Sequence, residues 1–282
     1  MTDQPVPLPS PNAGATPDPL RPAAPARRFK TGRTIGALIL REMQTTYGRS
    51  PGGYVWTLLE PVGGIAVLTF ILSTGFRIRE PSLGTNFPLF LATGLLVLTM
   101  FMTVAGKAAS SIGSNRALLF YPGVKYTDAI IAGFILTVLT QVLVIYIIFV
   151  GIHLLYGVTS ILDLRAVFSS FMLTALLGIG VGTLNCFLFE VYPLWGNIWR
   201  VITRPLFLIS CVIFTFEDIP VQYQDIAWWN PIIHVIAIMR RGFYPSYDAD
   251  YASPIYVGLV GSITLMLGLL FLHRFHRDIL NR

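Results

Sequence analysis

The sequence predicts an all-α polytopic membrane protein with six transmembrane helices per protomer, and three observations predict it. Of its 282 residues, 54% are apolar and only 12% charged, about half the charged share of soluble domains, and the mean hydropathy is +0.66. Its apolar runs are about 20 residues long, the length of a bilayer-crossing helix and not of the ~10-residue alternating strand of a barrel. Its Lys and Arg residues divide unevenly between the two sets of connecting segments, as the positive-inside bias requires. The composition also excludes a mostly disordered chain, a collagen-like repeat and a disulfide framework.

Residues 1–29 hold eight prolines and almost no large apolar side chains. They read as a disordered Pro-rich cytoplasmic tail, and without an apolar h-region they are not a signal peptide. Residues 34–48 read as a helix with Ile35, Leu38, Ile39 and Met43 on one face, although Glu42 falls inside that apolar sector. Fifteen residues are too few to cross, so this helix is expected to lie along the membrane surface. Six runs follow as spans, at about 54–76, 87–106, 128–156, 166–189, 198–216 and 254–273. The third is long enough to tilt or to project from the bilayer. Within the connecting region 217–253, the apolar stretch 226–239 has only fourteen residues and contains Asn230-Pro231 and His234. Its length suits a re-entrant or interfacial helix, not a seventh span. The chain thus divides into the tail, 1–29, and one transmembrane domain, 30–282.

With the N-terminus in the cytoplasm, the inner segments hold thirteen Lys and Arg residues and the outer segments five, with Arg200 and Arg204 inside span 5 completing the total of 20. The bias places both termini in the cytoplasm. The absence of an internal repeat counts against the inverted-repeat secondary transporters. A net charge of +6 does not imply a nucleic-acid partner, because the basic residues are dispersed and form no patch interleaved with aromatics. Both cysteines, Cys186 and Cys211, sit in apolar stretches, so no thiolate metal site is expected.

Catalytic patterns are missing. There is no G-x-x-x-x-G-K-[ST], no H-E-x-x-H and no G-x-S-x-G, and the four histidines are scattered, so the chain has neither a P-loop for ATP nor an evident metal site. The intramembrane charges are the positive signal. Arg200 and Arg204 stand four apart on one helix face; they either snorkel to the interface or wall a cavity that attracts an anionic substrate. Trp195 and Trp199 share the same spacing and serve either as an interfacial belt or as a stacking surface for sugar rings. Glu60, one to two turns into span 1, lies near the headgroups or pairs within the bundle. Trp228 and Trp229, before Asn230-Pro231, are either an anchor or an outer gate. Tyr244, Tyr247, Asp248 and Asp250 read as a solvated external loop. On the inner side, residues 115–121 form a short amphipathic segment stopped by Pro122, an ordinary surface loop or a docking knob for a soluble partner.

These residues carry a resemblance. Arg41-Glu42 through Tyr47-Gly48-Arg49-Ser50, then Gly53-Tyr54-Val55-Trp56 and Leu59-Glu60-Pro61, resemble the entry to span 1 of ABC-2-type polysaccharide export permeases. Asn115-Arg116-Ala117-Leu118-Leu119-Phe120-Tyr121-Pro122-Gly123-Val124-Lys125 is similar to the cytoplasmic loop of the capsular polysaccharide (KpsM-type) branch, and Trp229-Asn230-Pro231-Ile232 followed by Arg240 resembles its external re-entrant region. The resemblance runs from about residue 30 to the end, with Ser50-Pro51-Gly52-Gly53 departing from the usual pattern.

The family implies a permease with no cofactor of its own. It would dimerise and bind two copies of an ATPase subunit, which carries ATP and magnesium and drives export. The implied cargo is a lipid-linked acidic capsular polysaccharide crossing the bacterial inner membrane, with a periplasmic co-polymerase and an outer-membrane channel as further partners. Carried onto this chain, Asn115, Arg116, Leu118, Leu119 and Tyr121 would meet the ATPase together with the surface helix. Tyr54, Trp56, Glu60, Trp195, Trp199, Arg200 and Arg204 would line the entrance or channel, and Trp228, Trp229, Asn230 and Pro231 the external gate. The alternatives are export of O-antigen or teichoic acid and, from a different class, a membrane-embedded enzyme acting on lipid-linked sugars.

Overall fold

The computed structural model describes residues 30–47, 53–75, 80–119, 124–157 and 162–280. The tail 1–29 and Tyr121 lie outside the described residues, as does the side chain of Tyr54. The helices are α1 (Lys30–Tyr47), α2 (Gly53–Phe70, continued by a π-turn over Ile71–Gly75), α3 (Phe87–Ala109), α4 (Ser111–Leu119), α5 (Tyr126–Tyr156) and α6 (Leu164–Val191). There follow α7 (Trp195–Thr203), α8 (Leu206–Ile209), a 3-10 turn (Phe216–Asp218), α9 (Val221–Trp228), α10 (Pro231–Phe243) and α11 (Pro254–Leu280). No strand occurs among the described residues.

Five stretches among the described residues are long and apolar enough to cross a membrane: Val55–Gly75, Phe87–Leu119, Tyr126–Tyr156, Leu164–Val191 and Pro254–Phe275. They match five of the six expected runs, the second lengthened because α4 follows α3 after a single residue.

The remaining expected span, the fifth at 198–216, is not one helix. It is split into α7 and α8, and residues 210–215 leave the helix altogether. Pro205 is one cause, since its ring removes a backbone donor and crowds the carbonyl one turn earlier. Cys211 then adopts φ 57°, a left-handed conformation that no helix accommodates. The broken segment still runs along the bundle. The Trp195 indole donates to Asn185 Oδ1 (2.9 Å) near the end of α6, whereas Val212 lies against Gly94, two turns from the start of α3.

α3 is the centre of the bundle, buried over most of its length against α6, α5, α10 and α2. Between helices in lipid there is little hydrophobic drive, so close packing of small residues has to hold them. A Cβ at Gly182 would fall 2.6 Å from the Ala105 carbonyl oxygen of α3, and one at Gly268 of α11 would fall 2.6 Å from the Leu184 nitrogen of α6. α6 is therefore clasped from two sides through positions where only glycine fits. By contrast α2 is poorly covered: Trp56 is 70% exposed and Phe70 67%.

Two ends of the bundle are distinguishable. At the first, α1 packs along α5, and α4 seats Ile112 and Leu119 into a cluster with Ile130, Cys186, Phe187 and Leu272. Glu42, the residue out of pattern in α1, forms an ion pair with Lys107 of α3, and Arg41 Nη1 donates to Asn115 Oδ1 of α4 (3.1 Å). At the other end, α10 is wedged between α3, α6 and α11, buried from Ile232 to Arg240. Ser170 Oγ of α6 donates to the Val235 carbonyl (2.8 Å), and the Asp163 amide to the Gly242 carbonyl (2.9 Å). With thirteen residues, α10 is too short to cross a bilayer, as its sequence suggests.

Candidate functional site

Three groups of side chains stand out, at the first end, along the bundle and at the far end. At the first end, the segment read as a docking knob is a helix, α4, with an inner and an outer face. Asn115 (7% exposed) and Leu119 (9%) point inward, Asn115 also donating to the Ser111 carbonyl (3.0 Å). They fasten α4 to the bundle and present nothing to a partner. Gly113, Ser114 and Ala117 are exposed, and Arg116 and Leu118 half-buried. The outward surface is theirs.

The residues expected to line an entrance fall into two groups that one protomer does not bring together. Trp56 and Glu60 of α2 line a cleft of about 340 Å³ between α2, α3 and α5, whose other walls include Thr99, Lys107 and Gln141. Arg200 lies on α7, which packs on α6 and α8 and buries none of its residues, and Arg204 is the residue just past its end. Both arginines are exposed, and Arg200 bonds within its own helix, to the Gly196 carbonyl (3.3 Å) and to Asn197 Oδ1. Trp195 is committed to Asn185, and Trp199 is half-buried. Val201 (67% exposed) and Leu194 (71%) leave an apolar surface at α7 that the described residues do not cover.

At the far end the expected gate residues meet in an aromatic node. Asn230 caps α10, its Oδ1 accepting from the Ile232 amide (3.0 Å), while its Nδ2 donates to Ser210 Oγ (3.1 Å). Trp228 Nε1 donates to the Tyr251 carbonyl (3.1 Å), and its ring lies 4.9 Å from Tyr256 and 5.0 Å from His234. Tyr256 in turn donates to the Trp229 carbonyl (2.8 Å). Pro231 occupies the first turn of α10, where its missing N–H leaves no bond unmade.

His234 is fully buried. Its Nδ1 accepts from the Ser253 amide (3.2 Å), so Nε2 carries the proton and donates to the Trp228 carbonyl (2.7 Å). The imidazole is thus neutral and joins α9, α10 and the start of α11. Tyr247, expected in a solvated loop, is buried instead: it donates to Glu217 (3.1 Å) and meets the Tyr251 hydroxyl (2.8 Å). Burial raises the pKa of both phenols, keeping them protonated donors. Asp248 and Asp250 are exposed as expected. At Asp218, burial pushes the pKa up, but hydrogen bonds from Ser82 and Thr215 outweigh it and hold the carboxyl below its ordinary value.

Sequence reasoning missed Arg240, which it placed among the outer-loop charges. The side chain is 1% exposed and has no carboxylate within bonding distance among the described residues. Nη1 donates to the Phe214 carbonyl and Nη2 to the Val212 carbonyl, each at 2.8 Å, and the guanidinium lies 4.2 Å over the Phe90 ring. It supplies the donors that the broken backbone of 210–215 lost with its helix, which an apolar setting demands. Gly94 leaves room for this: a Cβ there would stand 3.1 Å from the Val212 oxygen and 3.3 Å from Arg240 Nη2. The signal in the sequence was an arginine inside a short amphipathic helix, nine residues after Pro231.

Residues 33–244 match the ABC-2 type transporter family. The chain belongs to that family. Among curated relatives of this ABC-2 chain, it is 32% identical over 240 residues to the polysialic acid transport protein KpsM of Escherichia coli, covering 84% of this chain and 91% of the relative. It is 27% identical over 249 residues to the capsule polysaccharide export inner-membrane protein CtrC of Neisseria meningitidis serogroup B, covering 88% and 92%. It is 28% identical over 251 residues to the capsule polysaccharide export inner-membrane protein BexB of Haemophilus influenzae, covering 88% and 93%.

Proposed function

We propose that this chain is the membrane-spanning subunit of an ABC exporter that carries a lipid-linked, acidic capsular polysaccharide across the bacterial inner membrane. The observation that carries the reading is its similarity to the polysialic acid transport protein over 84% of its own length. ATP and magnesium belong to a separate subunit in this scheme, in keeping with a sequence that contains no P-loop pattern.

The first end of the bundle is then cytoplasmic. The basic residues predict it, and the surface helix α1 and the outer face of α4 lie there for two copies of the ATPase to grip. The chain crosses six times. Its fifth crossing is the broken segment 195–216, which starts beside Asn185 and reaches Gly94 toward the opposite end. Both termini are cytoplasmic, and α9 and α10 enter from the outside without crossing. Two protomers assemble through the apolar surfaces that α2 and α7 leave uncovered. A channel at a two-fold interface suits a polymer better than one inside so small a bundle. Exposed arginines at its mouth suit a carboxylate or phosphate, and the aromatic node closes its far end. A periplasmic co-polymerase and an outer-membrane channel complete the route.

Deleting the chain from its host tests the proposal. Surface polymer is expected to disappear while polymer accumulates inside the cell, and re-expression to restore it. A deletion strain with its surface polysaccharide intact would refute the reading.

A further inference from the structure

Three helices each present a polar or aromatic pair one turn apart to the same space: Trp56 and Glu60 from α2, Thr99 and Thr103 from α3, Thr137 and Gln141 from α5. Residues four apart share a helix face, so the alignment reflects three faces turned toward one cleft. Its volume of about 340 Å³ lies in the range of small-ligand sites, roughly 300–1,000 Å³.

The third pair is the most buried of the three. Gln141 is 6% exposed and Thr137 7%, and neither side chain makes a hydrogen bond with any described residue. Gln141 is also the midpoint of the 31-residue α5, where an unsatisfied amide is most costly in a bilayer. A carboxamide brings two donors and an acceptor to the site, and the threonine hydroxyl one of each. Thr103 and Thr140 donate to their own helix carbonyls and keep acceptor lone pairs for a guest.

The charges narrow the guest's chemistry. Lys107 is held by Glu42, so the charge left to face the cleft is the Glu60 carboxylate, which repels an anion. The guest is neutral, rich in hydroxyls and able to meet the broad exposed face of Trp56 at the rim. A pyranose has that combination, with polar edges and an apolar face that stacks on indole. We propose that this cleft binds one uncharged sugar unit of the transported glycan, with Gln141 and Thr137 bonding its hydroxyls and Trp56 covering its ring. This rests on the export reading and adds to it a site for sugar within the protomer, apart from the arginines at α7. Few and neutral hydrogen bonds make the hold weak, as a moving polymer requires.

The test uses the complete permease–ATPase complex in lipid nanodiscs, with lipid-free oligosaccharides cut from the host's own surface polymer as the probe. Binding is read by ligand-observed NMR, and ATP-driven polymer transport is measured in proteoliposomes. Gln141→Leu and Thr137→Val remove unpaired polar groups while keeping shape, so both should fold with melting temperatures at or above wild type. Each is expected to weaken binding about tenfold, the worth of one good hydrogen bond. The exposed Trp56→Ala should weaken it similarly, whereas Asp250→Asn, in the exposed outer loop, should leave oligosaccharide binding unchanged. Wild-type binding and transport in the Gln141 and Thr137 variants would overturn the sugar site while leaving export intact. A wild-type complex that moves no polymer would overturn the export reading itself.

Discussion

Replacing Arg240 with methionine removes the two donors that hold residues 210–215. Arg240 makes two hydrogen bonds of 2.8 Å to carbonyls, and bonds to a charged group contribute about 1.5–3 kcal/mol each. Methionine also leaves the buried Val212 carbonyl without its donor, at about 1–3 kcal/mol, and the half-buried Phe214 carbonyl at less. Against this, the arginine no longer has to be desolvated, a gain that can make an apolar replacement of a buried charge neutral or better. Here the loss wins, because a non-helical backbone has no ladder bond to fall back on. The net destabilisation expected is about 2–4 kcal/mol, the two lost hydrogen bonds less the desolvation saved. Arg240→Lys should fall between, since one ammonium cannot reproduce a planar fork.

Cys211 offers an internal reporter. It is 1% exposed and sits in the tethered segment, while Cys186 is 0% exposed in α6. In the Arg240→Met protein, a lowered melting temperature should accompany maleimide labelling at Cys211 with none at Cys186. An unchanged melting temperature and an unreactive Cys211 would refute the tethering argument.

The other expectations concern the two ends and α7. Charge reversal at either member of the Glu42–Lys107 pair should lower polymer-stimulated ATP hydrolysis, and the double swap Glu42→Lys with Lys107→Glu should restore it; a double mutant as impaired as the singles contradicts a role for the pair. Arg116→Glu, on the outward surface of α4, should prevent co-purification of the ATPase and lower the melting temperature less than a buried change does. Leu119→Ala, in the buried cluster, should instead destabilise by about 2–5 kcal/mol, and equal effects of the two variants on stability would reverse that division of faces. Arg200→Gln with Arg204→Gln should abolish surface capsule while the complex still assembles; normal capsule would return both arginines to an interfacial role.

Five spans were legible within a few residues because a bilayer imposes length and apolarity directly on the sequence. The break in the segment 198–216 was not legible. Residues 198–216 are apolar enough to look like a helix, and what permits their irregular backbone is Arg240, 28 residues away from Val212. Local hydropathy carries no trace of such a donor. Glu42 looked like a flaw in an amphipathic pattern for the same reason, its partner Lys107 lying on another helix. At the candidate site, Trp228, Trp229, Asn230 and Pro231 were recognisable because cap and aromatic chemistry is local. Asn115 and Leu119 were assigned outward because nine residues offer too short a period to say which face the bundle covers. Gln141 and Thr137 passed unnoticed inside a strongly apolar run, where single polar residues carry little weight in a window average.

The most direct test of the central claim is to isolate the tagged full-length chain from mildly solubilised native membranes and identify what co-purifies by mass spectrometry. The account predicts a P-loop ATPase in one-to-one ratio with this chain, in a complex containing two copies of each. Recovery of the chain, folded and monodisperse, without any such ATPase would contradict it.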